Sequence, residues 1–293
     1  MMASYNFARR HTIVDNCTED IFAIAEKRIE KLMIQLNGSE QEVILGVVGP
    51  NGVGASRSQG EDLWTVTFTL YAWRRRGCSI NKQEITIRKQ VVDAEKDELR
   101  SCIKPYDIVE LKTRIAEENV SGTSQGLLIE IIAVNAQDEE LKKYADELQK
   151  PVVFTDDYFG EFTLDRAVNW FEAEVNWRSK PIRLSLSMDD CENRDGLVNI
   201  AKSLWKSQTL WSRKITDFAI KELLSLKNES WLDEDEEELK PRDFERKMKL
   251  ESITLYADGR FEFWHNDGDL FWGHSILVSG DLEKGPTNAD IAG

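Results

Sequence analysis

The sequence predicts an α+β protein of two domains. Residues 1–150 are expected to form a small β-barrel-like domain of OB type with flanking helices, and residues 151–293 an antiparallel sheet with a helical hairpin packed on it. Three observations lead there. The 293 residues exceed the ~150 of one typical domain. In the first half, five short strand-like segments surround one helical segment, while in the second half strand-like segments flank a long helical stretch. The halves also differ in composition. The net charge of −15 divides into −4 and −11, and seven of the nine tryptophans lie in the second half.

In the first half, Thr18 can cap a helix with Glu19 and Asp20 in its first turn. Phe22, Ala25, Ile29, Leu32 and Leu36 make its apolar stripe, and Asn37-Gly38 ends it. Strands are predicted at Glu42 to Val48 and Thr65 to Trp73, where Val66, Phe68, Leu70 and Ala72 alternate with polar neighbours. Further strands follow at Glu84 to Arg88, Ile108 to Ile115 and Leu127 to Ile132, with a helix near Ala94 to Cys102 before the fourth. That element order is the analogy to a partly open OB barrel. Asp138 to Gln149 is helical, with Leu141, Tyr144, Ala145 and Leu148 on one face, and Pro151 stops it.

The second half opens with strands. Phe171, Ala173, Val175 and Trp177 share one face of Val168 to Trp177; Ile182, Leu184, Leu186 and Met188 alternate in the next. A polar loop at Asp189 to Asp195 leads to a helical region, Gly196 to Lys227, interrupted near Ser207-Gln208. Leu197, Ala201 and Leu204 line its first part; Trp211, Ile215, Ala219 and Leu226 line its second. Asp258-Gly259 and Asn266 to Asp269 separate three strands of a β-meander, since Asp-Gly supplies the positive φ of tight hairpin turns.

Composition excludes several functions. No apolar run approaches the ~20 residues of a membrane span, and Met1 to Thr12 does not read as a secretory signal. Cys17, Cys78, Cys102 and Cys191 lie far apart, which suits neither a disulfide framework nor zinc and suggests a cytoplasmic location. The acidic balance argues against nucleic-acid or anionic-membrane partners, whose phosphates need Lys and Arg. Gly49 and Gly54 have the separation of a phosphate-binding loop, but Ala55 stands where lysine is required and no helix follows. No nucleotide, cofactor or metal is therefore expected. Arg74-Arg75-Arg76 is the only compact basic cluster, and a solvated cluster at a strand end is its simpler reading.

The stretches "FGEFTLDRAVNWFEAEVNW", "LKNESWLDEDE", "KMKLESITLYADGRFEFW" and "DGDLFWGHSILVSG" occur in order. Over about Val153 to Gly293 they resemble the bacterial domain-of-unknown-function family numbered twenty-two sixty-two. "SQGEDLWTVTFTLYAW" with "IKPYDIVELKTRI" resembles the β-rich domain that often precedes it. The resemblance implies two domains and no particular chemistry. Some small bacterial domains of this kind resemble immunity proteins of toxin systems, an association of gene context, not of residues.

The candidate site gathers around the acidic run Asp233 to Glu238 beside Trp231. Six adjacent carboxylates repel one another unless a cation or basic partner lies nearby. Asp233, Glu234, Asp235, Asp267 and Asp269, with Trp231, Trp272 and His274, make the predicted partner-binding surface. Against it stands a solvated acidic loop with core tryptophans and a packed histidine. A four-residue turn at Asn266 to Asp269 would place His274 opposite Phe261. No catalytic set is predicted: "GHSI" lacks a nucleophile elbow, and Cys191 sits among acidic residues that disfavour its thiolate. The leading reading is a non-catalytic, cytoplasmic, immunity-like protein that binds a basic protein. The alternative is a metal-dependent hydrolase using acidic residues and His274.

Overall fold

Five strands of the first half close into a ring in the computed structural model of the protein, which describes residues 24, 27–58, 60–120, 122–189, 191, 193–233 and 236–293. The chain divides into two units, Met1–Lys150 and Pro151–Gly293. The first contains α1 (27–38), β1 (Gln41–Val48), β2 (Gly54–Ser56), β3 (Trp64–Arg75), β4 (Ile85–Val91) and α2 (Asp93–Cys102). It ends with β5 (Ile108–Ala116), β6 (Ser124–Val134) and α3 (Glu139–Leu148). The ring runs β1-β5-β6-β4-β3 and closes because β3 also pairs with β1. With α2 between its third and fourth strands, it is a barrel of OB type. Thr18, Glu19, Asp20, Phe22 and Ala25 of the predicted first helix lie outside the described residues.

Alternation explains the barrel's filling. Val66, Phe68 and Leu70 of β3 point inward to meet Ile44, Ile85, Ile87 and Leu111. Each such side chain contributes roughly 1.5–3 kcal/mol by leaving water. A Cβ on Gly46 would stand 2.6 Å from Leu70 Cδ1 and 3.1 Å from the Ala72 carbonyl. That glycine is a packing requirement where β1 meets β3. The glycine-rich segment after it turns at Gly52 (φ 59) and continues as strand β2, so no helix N-terminus faces a phosphate there. Outside the ring, Leu141 and Ala145 of α3 cover Leu45, Val47, Ala72 and Ile108. Asp138 caps that helix by accepting from Leu141 N at 3.0 Å.

Each arginine of the cluster is ion-paired within the domain, while Arg75 and Arg76 also stay exposed to solvent. Arg74 binds Asp138 and Glu140, Arg75 binds Glu42 and Glu117, and Arg76 binds Glu110. These pairs tie the end of β3 to β1, β5 and α3.

The second unit begins with β7 (Val153–Asp156), β8 (Gly160–Asp165), β9 (Trp170–Trp177) and β10 (Lys180–Ser187). Three helices follow, α4 (Arg194–Lys206), α5 (Gln208–Ser230) and α6 (Pro241–Lys247). The chain then forms β11 (Lys249–Leu255), β12 (Arg260–Asn266), β13 (Ser275–Asp281) and β14 (Gly285–Ala292). All eight strands lie side by side in sequence order. Every pairing is antiparallel except β10–β11, which is parallel because the helices carry the chain back across the sheet. Phe171, Ala173, Val175, Ile182 and Leu184 face the hairpin of α4 and α5, whose Leu197, Ala201, Trp211 and Ile215 complete the core.

Two details depart from the sequence expectation. The buried stripe of α5 is Trp211, Ile215, Ala219, Leu223 and Lys227, while Leu226 is exposed. The meander has four strands, and its second connection, between β12 and β13, is a long loop instead of a tight turn. His265 pairs with Ile276 and Asn266 with Ser275, so His274 lies in a loop and not opposite Phe261. No described helix is long and apolar enough to cross a membrane.

Candidate functional site

Residues 267–274 connect β12 to β13, and one carboxylate organises them. Asp267 is 2% exposed. Its Oδ2 accepts from Phe271 N at 2.6 Å and Gly273 N at 3.2 Å, and its Oδ1 accepts from Asp269 N at 3.2 Å. A carboxylate with three backbone donors fixes a chain path that a tight turn would not take. Asp269 (φ 67), Trp272 (φ 56) and Gly273 (φ 87) all occupy the left-handed region. Gly268 (φ 58) is also required sterically, since its Cβ would stand 2.5 Å from the Lys247 carbonyl at the end of α6. Asp267, expected on the partner-facing surface, is therefore a buried loop organiser; Asp269 remains exposed.

The loop sorts its aromatic residues by depth. Leu270 and Phe271 are fully buried, whereas Trp272 is 60% exposed. Trp231, half-buried at the end of α5, lies between them. It meets Phe271 edge-on at 5.6 Å and Trp272 at 4.7 Å in a tilted stack. His274 packs edge-on against Trp231 at 5.6 Å, and its Nδ1 lies 2.7 Å from the Phe271 carbonyl. The Nδ1–H donates there, which orients the ring as a packed histidine beside the platform. Trp231, Trp272 and His274, grouped on one surface in the sequence reading, lie against one another.

The acidic run is held by a buried cation. Lys227 is 0% exposed; its Nζ donates to the Trp231 carbonyl at 2.6 Å and to Glu236. Lys247 lies 3.8 Å from the same carboxylate. The Lys227 hydrogen bond holds the Glu236 carboxyl below the usual range. Asn228 adds a second clamp, accepting from Leu239 N at 2.9 Å and donating to the Leu239 carbonyl at 3.0 Å. Self-repulsion within the run is therefore offset from inside the domain. Asp233, Glu237 and Glu238 face solvent, while Glu234 and Asp235 lie outside the described residues.

Lys227 and Phe271 were not singled out in the sequence, and Glu236 only as one member of the acidic run. Lys227 was legible, since it continues the i+4 stripe Trp211, Ile215, Ala219, Leu223 and sits nine residues before Glu236. Among the described residues, no three His, Cys, Asp or Glu side chains converge as metal ligands would.

Residues 156–291 match the family model described as an uncharacterized protein conserved in bacteria (DUF2262). The second half is thus similar to the DUF2262 family over most of its length. Residues 29–148 match the model described as a domain of unknown function (DUF7021). No curated protein matches the chain. Among solved structures, a deletion mutant of the single-stranded DNA binding protein from Thermus aquaticus aligns with 50% of this chain and 74% of its own. At 7% identity and a TM-score of 0.20, that likeness carries no argument. The clamp, the loop and the stacked tryptophans all fall within the DUF2262 match.

Proposed function

We propose that the second domain is a non-catalytic protein-binding module that docks a basic protein surface on Trp272. The observation that carries this reading is a large aromatic side chain held 60% exposed, on left-handed backbone, by a buried carboxylate and a second tryptophan. Displaying an indole to water forgoes its burial, and left-handed backbone at a non-glycine residue adds strain. Tryptophan is also the residue most enriched among interface anchors. Exposed Asp233, Glu237, Glu238 and Asp269, in a half carrying −11, favour a cationic partner by complementarity and steering. An immunity-like role, with a basic nucleic-acid-binding toxin as partner, fits this chemistry. Among the described residues, no three potential metal ligands converge to support the hydrolase alternative.

The test is capture with the full chain, followed by kinetics on the purified partner at two salt concentrations. Trp272→Ala should raise the off-rate at least tenfold, the loss of roughly 1.4 kcal/mol or more typical of an anchor, and leave thermal stability unchanged. Replacing Asp233, Glu234 and Asp235 by Asn, Gln and Asn should slow association. A partner indifferent to all four substitutions would refute the proposal.

A further inference from the structure

A cavity of about 250 Å³ opens between α5 and the sheet of the second domain. Trp177, Ile215 and Phe263 give it an apolar base, and its polar wall carries donors without a carboxylate. Arg178, Lys180 and Lys249 stand at its mouth, and none of the three has an ion-pair partner among the described residues. In a half whose net charge is −11, three unpaired cations around one cavity need an explanation.

Two features show that the cavity is built and not incidental. Arg178 (φ 49) and Ser179 (φ 66) both adopt left-handed backbone in the turn between β9 and β10, without the glycine or asparagine that such turns favour. The Arg178 N–H donates to Gln208 Oε1 at 2.6 Å, which fastens this turn to the first residue of α5. That helix starts with no side-chain cap and no acidic residue in its first turn, so its positive end is uncompensated. Independently, His265 forms part of the cavity wall, is 4% exposed, and leaves Nδ1 without a hydrogen-bond partner. Buried polar atoms are almost always satisfied; of the three exceptions among the described residues, His265 Nδ1, Arg88 Nε and Thr113 Oγ1, only the first belongs to a residue that lines this cavity.

We infer that this cavity binds a small organic anion, with its apolar body on Trp177 and Phe263 and its charged head toward Lys180 and Lys249. Ser212 accepts from Trp177 Nε1 at 2.8 Å, which leaves its own O–H free to donate to the ligand. The volume lies below the ~300–1,000 Å³ of drug-sized pockets, so the ligand is a small one. The site rests on none of the residues of the Trp272 surface.

The probes are benzoate, its neutral analogue benzamide, and inorganic phosphate, titrated into the full chain. The readout is the ring resonance of His265, assigned by removing His11 and His274 in turn. Benzoate should shift the resonance saturably, with a Kd on the order of 1 mM, as befits so small a ligand. Lys180→Gln with Lys249→Gln should weaken that Kd about tenfold, the loss expected for charge-assisted hydrogen bonds. Both lysines are exposed, and unchanged thermal melting will show that the variant is folded. The inference is overturned by the absence of a saturable shift, by an equal response to benzamide, by an unchanged Kd in the double variant, or by a response to inorganic phosphate alone.

Discussion

His265 should make the second domain acid-sensitive in a pH range where its carboxylates contribute little. Burial in the sheet lowers the imidazole pKa to about 4, against a smaller upward pull from the backbone of Ile276 and Phe263. In the unfolded chain the ring titrates near 6.5. The folded value lies below the unfolded one, so as pH falls the unfolded chain takes the proton first. Stability from this group is complete above about pH 6.5 and is lost as pH falls through about 4. At 1.36 kcal/mol per pH unit, the loss by pH 4.5 is roughly 2–3 kcal/mol, a large share of the ~5–15 kcal/mol that holds a domain together. The salt-bridged carboxylates Asp156, Glu236 and Asp258 have lowered values and respond at more acidic pH. The assay is urea unfolding of the full chain at pH 7.0, 5.5 and 4.5, followed by fluorescence. Seven of the nine tryptophans report on this half. His265→Leu should lose much less stability over that range than the wild type. Parallel curves for the two proteins would mean that the ring ionises normally when folded, and the burial argument would fail.

Three other outcomes follow from the same contacts. Asp267→Ala leaves three backbone N–H groups of the loop without their acceptor and should cost about 2–4 kcal/mol in urea unfolding; a loss below about 0.5 kcal/mol would show that the loop holds its shape without the carboxylate. Lys227→Met should destabilise by roughly 1–3 kcal/mol, less than a fully enclosed pair because Glu236 keeps access to water. Adding Glu236→Gln should restore part of that loss, and strict additivity would deny the coupling. Limited proteolysis should cut near residues 150–157 and release two resistant fragments, because Pro151 ends the first unit and the composition changes there; a cleaved chain that loses both fragments together would argue for one cooperative core.

The sequence by itself determined the elements whose periodicity is local. The alternation of Val66, Phe68 and Leu70 marks β3, although Ala72 of the predicted face packs outside the ring; the break at Ser207 divides α4 from α5, and Asp258-Gly259 makes the first turn of the meander. Strand and helix patterns are legible because each residue's burial follows from its own neighbours in the chain. The end of the first helix, where Leu32 and Leu36 are buried though Ile29 is exposed, and the element order of the barrel domain were legible along the chain as well. Only the tertiary structure decided which charges meet. Arg74, Arg75 and Arg76 look like a free basic patch until the ring brings Glu42, Glu110 and Asp138 to the end of β3. Asp267 looks like a surface acid until its loop folds back on it, and that one carboxylate moves His274 and Trp272 out of the predicted hairpin. The cavity at His265 draws on β9, β10, α5, β11 and β12, segments up to 88 residues apart from Trp177 to His265. Packing brings such groups together at a distance that periodicity does not report, so the architecture could be read along the chain while the Asp267 loop and the cavity could not.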